Sequence, residues 1–261
     1  MKTTTDHRTK LLNGLKELQL PTMRECFEET ARKARQEALS YEQYLLELAT
    51  REVEARRQKR IERLLRESRL PLEKNLAAFD RKRLPPKVNQ QVATLLEGAF
   101  LARKENVLAF GNPGSGKTHL LCALGQELIV RQGRRIYFAK CALLVQELLI
   151  AKRDLKLARV LKRLAGFDGL LLDDLGYVQQ GREEMEVLFT LLAERYERGS
   201  VLLTSNLPFS KWESIFKDAM TTAAAIDRLV HHSVILELNL SSYRIEHAQK
   251  SKKGESAKEK Q

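Results

Sequence analysis

The sequence predicts an α/β fold in which a five-stranded, mainly parallel sheet follows a small all-α N-terminal domain. Three observations predict it: a glycine-rich motif at 111–118, apolar segments that alternate with helical patterns after residue 105, and nearly continuous helical periodicity before it. We expect a helical domain at 1–70, a linker at 71–87, an α/β core at 88–244 and a disordered basic tail at 245–261.

Three helices are predicted in the N-terminal domain. Leucines recur at helical spacing until Pro21, which is expected to stop the first helix, and a second amphipathic helix covers about 22–37. Ser40 and Gln43 have the spacing of a capping box, so they predict the start of a long third helix that ends before Pro71.

The third helix is strongly basic. Glu54, Glu62 and Glu67 are interleaved with its cations, so a solvated helix face held by ion pairs and a surface that follows a DNA phosphate backbone are both open interpretations. The candidate DNA contacts are Arg56, Arg57, Lys59, Arg60 and Arg63.

A helix is predicted over 88–104, with Phe100 on its apolar side as a core residue. Beyond it, five apolar segments have the length of buried strands and are separated by helical patterns, which is typical of a parallel sheet covered on both faces. The predicted strands are 106–110, 135–139, 167–173, 200–206 and 234–238.

The motif at 111–118 fits the phosphate-binding loop G-x-x-x-x-G-K-[ST]. Its glycines permit backbone angles that turn N–H groups toward an anion, and the following helix adds its positive end. Lys117 is expected to contact the β- and γ-phosphates, and the Thr118 hydroxyl to bind Mg²⁺. The predicted ATP-binding residues are Gly111, Asn112, Pro113, Gly114, Ser115, Gly116, Lys117 and Thr118.

Polar residues at the ends of two later strands complete a predicted catalytic site. Asp173 and Asp174 follow the run of leucines at 170–172, so Asp173 is expected to hold Mg²⁺ through water and Asp174 to orient or deprotonate the attacking water. Asn206 ends the fourth strand, where it can hold the γ-phosphate or that water. Alternatively, the acidic pair and Asn206 cap a turn or a helix.

Arg228 lies just before the last strand. It could reach the γ-phosphate of a neighbouring subunit as an arginine finger, or form a surface ion pair.

The overall composition constrains the partners and the compartment. The chain has 46 Lys and Arg against 34 Asp and Glu, a net charge of +12, which favours a nucleic-acid partner over ordinary solubility charge. Its three cysteines are widely spaced, as expected of reduced thiols in a cytoplasmic protein. No apolar run has membrane-spanning length.

These motifs together resemble the IstB-like transposition-helper ATPases, which are AAA+ proteins related to DnaC-like helicase loaders. The resemblance covers 106–244 and is carried by GNPGSGKTHL, LLLDDLGY, RYERGSVLLTSN, AIDRLVHHS and SSYR. It implies ATP and Mg²⁺ as cofactors, with Lys117 and Thr118 matching Walker A, Asp173 and Asp174 Walker B, Asn206 sensor 1 and Arg228 the arginine finger. It also implies a homo-oligomer with ATP at subunit interfaces, assembled on double-stranded DNA and assisting an IstA-like transposase.

The sequence departs from the wider AAA+ pattern in two places. Asp174 stands where many AAA+ proteins have glutamate, so hydrolysis could be slow or conditional. Little chain follows the fifth strand, which leaves Arg244 as a weak candidate for sensor 2. A helicase loader, an ATP-gated DNA scaffold without significant hydrolysis, and a P-loop kinase remain alternative interpretations.

Overall fold

The computed structural model describes residues 2–176, 181–216 and 218–243. Arg244 and the predicted tail at 245–261 lie outside the described residues. The described residues divide into two compact units, one that ends at Arg63 and one that begins at Leu64. The helices are α1 (Lys2–Glu17), α2 (Pro21–Gln36), α3 (Tyr41–Ser68), α4 (Pro86–Leu96), α5 (Ala99–Ala102), α6 (Lys117–Gln132), α7 (Cys141–Arg153), α8 (Leu157–Ala165), α9 (Arg182–Arg195), α10 (Glu213–Phe216) and α11 (Ala219–Val230). The strands are β1 (Asn106–Gly111), β2 (Ile136–Lys140), β3 (Gly169–Leu175), β4 (Ser200–Ser205) and β5 (Ser233–Leu238).

The five strands form one sheet in the order β2-β3-β4-β1-β5, and every neighbouring pair is parallel. Val107 pairs with Leu202 on one side and Val234 on the other, so β1 is a central strand. The strands β1, β3 and β4 are buried along most of their length because helices cover both faces of such a sheet. The predicted α/β fold with a five-stranded parallel sheet is confirmed.

Helix α6, which follows the glycine-rich loop, contacts β1, β2, β3 and β4. Helix α7 contacts β2, β3 and α9, and α9 in turn contacts α11. Phe100 is 2% exposed, which confirms it as a core residue. The core is therefore built on the strands that place their carboxyl ends beside the glycine-rich loop.

In the first unit, a buried carboxylate fixes the start of α2. Glu52 of α3 accepts hydrogen bonds from the N–H groups of Thr22 (2.8 Å) and Met23 (3.0 Å), and from Arg56 Nε (2.9 Å). Burial alone would raise the pKa of Glu52, but these three donors outweigh it and lower the pKa. The predicted capping box is present, since Ser40 N donates to Gln43 Oε1 (2.8 Å) and Gln43 N to Ser40 Oγ (3.2 Å).

Two helix boundaries differ from the prediction. Pro21 is the first residue of α2 and does not end α1, which stops at Glu17. Proline is suited to the first turn of a helix because N–H groups there make no hydrogen bond within the helix. The helix predicted over 88–104 is two helices, because Gly98 adopts a left-handed φ of 72° between α4 and α5.

The segment predicted as a linker, 71–87, belongs to the second unit and packs against the rest of it. Gln126 Nε2 of α6 donates to the carbonyls of Pro71 (3.0 Å) and Lys74 (3.1 Å), and Leu84 is 6% exposed. Short turns and a 3₁₀ helix carry this segment across α6. The domain boundary near residue 70 stays a prediction.

The three cysteines are free, and burial raises the pKa of Cys122 and Cys141 to about 12, so neither is a thiolate at neutral pH. Among the helices of the described ranges, none combines the length and apolarity that crossing a membrane requires.

Candidate functional site

The loop at 111–118 connects β1 to α6 and has a backbone that only glycine permits at its key positions. Gly111 has φ 149°, and a Cβ there would lie 2.1 Å from the Leu238 carbonyl oxygen. Gly114 has φ 79°, and a Cβ there would lie 2.2 Å from Ser242 Oγ. Leu238 and Ser242 of the same chain thus pack against the loop. The N-terminus of α6 lines the cavity beside the loop.

Lys117 is nearly buried, with 5% of its surface exposed. Its Nζ donates to the carbonyls of Gly111 (2.8 Å) and Asn112 (2.9 Å) and to Asn206 Oδ1 (2.6 Å). Because β4 lies next to β1, the end of β4 delivers Asn206 to the phosphate loop. The structure therefore brings together a lysine and an amide that the sequence places 89 residues apart.

Asp173 joins the loop to two neighbouring strands. Its Oδ1 accepts hydrogen bonds from Thr118 Oγ1 and Thr204 Oγ1, both at 2.7 Å, and the residue is only 4% exposed. A hydroxyl and a carboxylate in contact are the oxygen ligands that suit Mg²⁺. The sequence did not single out Thr204, whose role depends on the pairing of β3 with β4.

Asp174 differs from Asp173 in both backbone and environment. It is exposed and has φ 61°, a left-handed conformation that costs a non-glycine residue about 1–2 kcal/mol. Its N–H donates to Thr204 Oγ1 (2.8 Å), and the register of β3 against β4 shifts between Leu172 and Leu175. This irregularity separates the two carboxylates, leaving Asp173 buried while Asp174 lines the cavity.

The cavity at this edge of the sheet has a volume of about 560 Å³. Its lining includes the phosphate loop, both aspartates and Asn206, together with residues that sequence reasoning missed. Those residues, which come from the segment 71–87, α6, β2 and the chain after β5, include Lys74, Phe79, Arg83, His119, Lys140 and Tyr243.

Phe79 and Arg83 form one wall of this cavity. The Phe79 ring lies 3.1 Å from the position of a Cβ on Gly116 and packs edge-on against His119, with ring centroids 5.2 Å apart. Arg83 donates to the Ser241 carbonyl (3.1 Å), and its guanidinium lies 5.2 Å from the Tyr243 ring. No local pattern identified them, because they meet the loop only through tertiary packing.

Arg228 lies at the other edge of the sheet. Its guanidinium is 4.6 Å from the centre of the Phe189 ring, and Nη1 donates to the Ala224 carbonyl (3.4 Å). Asn106, the first residue of β1, donates to the Arg228 carbonyl (3.4 Å), whereas the phosphate loop follows the last residue of β1. Within one chain, the structure does not bring Arg228 to the phosphate loop.

The candidate DNA contacts lie on α3 in the first unit. Arg57, Lys59, Arg60 and Arg63 are exposed. Arg56 donates hydrogen bonds to Glu52 and to the Gln19 carbonyl, so it also stabilises the helical unit.

Comparison with known proteins agrees with this geometry. The family described as IstB-like ATP binding protein matches residues 13–251. An insertion sequence ATP-binding protein of Sinorhizobium fredii is 41% identical over 240 residues, which cover 92% of this chain and 80% of the relative. The insertion sequence IS21 ATP-binding protein of Pseudomonas aeruginosa is 38% identical over 220 residues, 84% of this chain and 82% of the relative.

Solved structures show the same fold. The DnaC helicase loader superposes with a TM-score of 0.52 at 19% identity, over 62% of this chain and 95% of that one. The replication initiator DnaA bound to AMPPCP and single-stranded DNA gives 0.54 at 19% identity, over 66% and 52%. The family match over residues 13–251 and the two relatives show that the chain belongs to the IstB-like ATP-binding protein family.

Proposed function

We propose that this protein is an ATPase that assembles on double-stranded DNA and assists an IstA-like transposase. The observation that carries the proposal is the hydrogen-bonded set of Lys117 with Asn206 and of Asp173 with Thr118, built at the mouth of a phosphate loop. The relatives are named as ATP-binding proteins of insertion sequences, which supports a role in transposition.

Each residue of the set has a separate task in this proposal. Lys117 binds β- and γ-phosphate oxygens, exchanging its loop carbonyls for them, and loop N–H groups bind the remaining phosphate oxygens. Asn206 then holds the γ-phosphate or the attacking water. Asp174 accepts the proton of that water as the bond from the γ-phosphorus to the bridging oxygen breaks, which yields ADP and phosphate.

Thr118 and Asp173 fit Mg²⁺, since their oxygens are hard ligands in contact with each other at 2.7 Å. When bound, Mg²⁺ neutralises charge that develops on the β- and γ-phosphates. Thr204 keeps Asp173 oriented by donating to the same carboxylate oxygen, so the ligand is in place before the ion arrives.

Arg228 is proposed to act on the ATP of a neighbouring subunit. It lies away from the phosphate loop of its own chain and beside an open cavity of about 200 Å³ at the amino end of β1. An arginine placed in this way can stabilise transition-state charge only across an interface, so hydrolysis would require assembly. ATP that binds the assembled state better than the free chain would then drive assembly.

DNA binding is proposed for the exposed cations of α3 at 57–63. If they contact phosphates, replacing them should weaken binding to all sequences alike and flatten its salt dependence. A double variant, Arg57→Glu with Arg60→Glu, should do so, whereas Arg32→Glu with Arg35→Glu on α2 makes the same change in charge and should leave the slope unchanged. If the salt dependence of DNA affinity had the same slope in both double variants, α3 would be rejected as the phosphate contact.

The test of the whole proposal is sedimentation with duplex DNA, with and without ATP, together with phosphate release. Assembly on DNA that requires ATP, followed by hydrolysis, supports an ATPase of this kind, and co-sedimentation with a transposase instead of a hexameric helicase separates it from a loader. Assembly without phosphate release would favour an ATP-gated scaffold. Asp174 motivates this alternative, because its side chain is shorter than that of glutamate and its backbone is left-handed. A chain that stays monomeric with both ligands would contradict the proposal.

A further inference from the structure

Three potential metal ligands meet beside Arg228, at the edge of the sheet away from the phosphate loop. Glu197 follows the end of α9, and His231 and His232 follow the end of α11. All three residues are exposed, and one ligand atom from each lies within 4.8 Å of the other two. Nothing in the proposed ATPase mechanism uses this cluster.

Backbone hydrogen bonds fix the positions of the residues that carry the three side chains. Asn106 N donates to the His232 carbonyl (2.7 Å), and His231 N donates to the Asp227 carbonyl (2.9 Å). Glu197 has a left-handed φ of 57°, in a turn where Tyr196 N still donates to the Leu192 carbonyl (3.0 Å). The ligands therefore come from fixed helix ends instead of a loose loop.

One histidine already has the outer partner that metal-binding imidazoles require. His231 Nδ1 lies 2.9 Å from the Tyr196 hydroxyl, and the His231 and His232 ring centroids are 4.1 Å apart. When Nδ1–H donates to the Tyr196 oxygen, Nε2 keeps its lone pair for a metal. Tyr196 can thus fix both the tautomer and the ring orientation of His231.

Three cations, Arg103, Lys104 and Arg228, line the cavity beside the cluster, and a neighbouring carboxylate pairs with one of them. Arg103, which lines the adjoining cavity, is paired with Glu105 through hydrogen bonds of 2.7 and 2.9 Å. Glu105 also interacts electrostatically with His232. The positive charge of Arg103 is therefore offset close to the cluster.

We propose that Glu197, His231 and His232 bind one divalent transition-metal ion of the Zn²⁺ type. Two imidazoles and one carboxylate form a set of nitrogen and oxygen ligands that suits Zn²⁺, Co²⁺ or Ni²⁺ better than Mg²⁺. Ligand atoms on one tetrahedral ion are about 3.4 Å apart, given bonds of about 2.1 Å, and rotation of exposed side chains closes the observed spacing. The fourth position is left for water.

Such an ion links the end of α9 to the end of α11, three residues after Arg228. It is a second metal site, chemically distinct from the Mg²⁺ site proposed at Thr118 and Asp173. Because it is built from other side chains, it does not depend on the proposed ATPase function.

The test is titration of the untagged, nucleotide-free full chain with Co²⁺, followed by displacement with Zn²⁺. We expect one Co²⁺ per chain with the visible absorption of a tetrahedral site, and at least a tenfold loss of affinity in His231→Ala and in His232→Ala. Glu197→Gln should also weaken binding, whereas His7→Ala removes an exposed histidine elsewhere and should bind as the parent does.

Two further measurements test whether the metal binds at the phosphate-loop edge instead and whether the histidine variants stay folded. Asp173→Asn should retain the Co²⁺ absorption, which excludes the phosphate-loop edge as the source of the signal. Thermal melts without metal should be unchanged in the histidine variants, because both side chains are exposed. Binding that survives in both histidine variants, or a parent chain that binds no Co²⁺, would overturn the proposal.

Discussion

The two edges of the sheet carry different kinds of polar group. At the carboxyl edge, Lys117, Asn206, Asp173 and Thr118 are bonded to one another or to the loop, and the lysine and Asp173 are almost buried. At the amino edge, Arg228 stacks on Phe189 and bonds only weakly to its own helix, beside an open cavity. The first edge is hydrogen-bonded within one chain, whereas the second holds a half-buried arginine beside an open cavity.

From this comparison we expect the chain to bind a nucleotide alone and to require a neighbour to complete a catalytic site. Strand β1 runs from the amino edge to the carboxyl edge. Asn106 at its start donates a hydrogen bond to the end of α11, and Gly111 at its end is the first residue of the phosphate loop. Assembly is the step that would bring one chain's amino edge to another chain's carboxyl edge.

The largest expected effect is from Arg228→Ala. Removing an arginine finger should lower the rate of ATP hydrolysis about 10³-fold or more, while ATP affinity of the isolated chain changes by less than about twofold. Phosphate release and binding of a fluorescent ATP analogue measure the two effects. Arg103→Ala removes a cation of the same cavity that Glu105 already pairs, and it should have little effect.

Mixing variants sharpens this prediction. Lys117→Ala retains Arg228 but binds ATP poorly, whereas Arg228→Ala binds ATP but lacks the arginine. At an interface between the two variants, Arg228 of the first can act on ATP bound to the second, so a mixture should regain part of the ATP hydrolysis. A mixture as inactive as its components would mean that Arg228 does not act across an interface.

The next effect in size is from Lys117→Ala. Loss of a charged donor to phosphates should weaken ATP binding by about 10- to 100-fold, from hydrogen bonds worth about 1.5–3 kcal/mol. Lys140→Ala is the matched control, since Lys140 lines the same cavity but is exposed. If both variants lose affinity equally, then general positive charge and not the buried lysine binds the phosphates.

Thr204→Val tests whether the carboxyl edge is ordered before Mg²⁺ binds. The variant leaves a bond to Asp173 and a bond to the Asp174 N–H unmade, so stability should fall by about 1–3 kcal/mol and Mg²⁺-dependent ATP affinity should fall with it. Denaturant unfolding and ATP titrations at several Mg²⁺ concentrations measure this. Thr190→Val removes only a bond within α9 and should change neither quantity much.

Gly98→Ala should have the smallest effect and should leave ATP affinity unchanged. Its φ of 72° costs alanine about 1–2 kcal/mol, and a Cβ would lie 2.3 Å from Gln132 Oε1, at the flexible end of that side chain. Denaturant unfolding measures the loss, and Gly98→Asn should lose less because asparagine tolerates this backbone. If both variants lost the same free energy of unfolding, the cost would come from the contact with Gln132 and not from the backbone angle.

The phosphate loop was predictable because its chemistry is local. Eight consecutive residues supply the glycines, the N–H groups and Lys117, and the strand and helix beside them follow from periodicity. Asp173 and Asn206 were predictable for a related reason: the carboxyl ends of parallel strands meet at one edge of a sheet. Their catalytic roles stay predictions, as does the role of Arg228.

Phe79, Thr204 and Asn106 were not predictable in the same way. Phe79 lies in a segment with no periodicity, and it lines the cavity because the segment packs across α6. Thr204 and Asn106 look like ordinary polar residues within or beside strands until strand order places them against Asp173 and the end of α11. Gly98 likewise ends a helix whose apolar pattern continues on both sides of it.

The sequence by itself determined the phosphate loop, the alternation of strands and helices, the basic third helix and the resemblance to the IstB-like family, since each is a property of neighbouring residues. Only the tertiary structure decided that Lys117 bonds to Asn206, that Asp174 is exposed while Asp173 is buried, and that Arg228 lies at the opposite edge beside two histidines and Glu197. The physical reason is that strand order and the packing of distant segments set these contacts, and no local spacing records them.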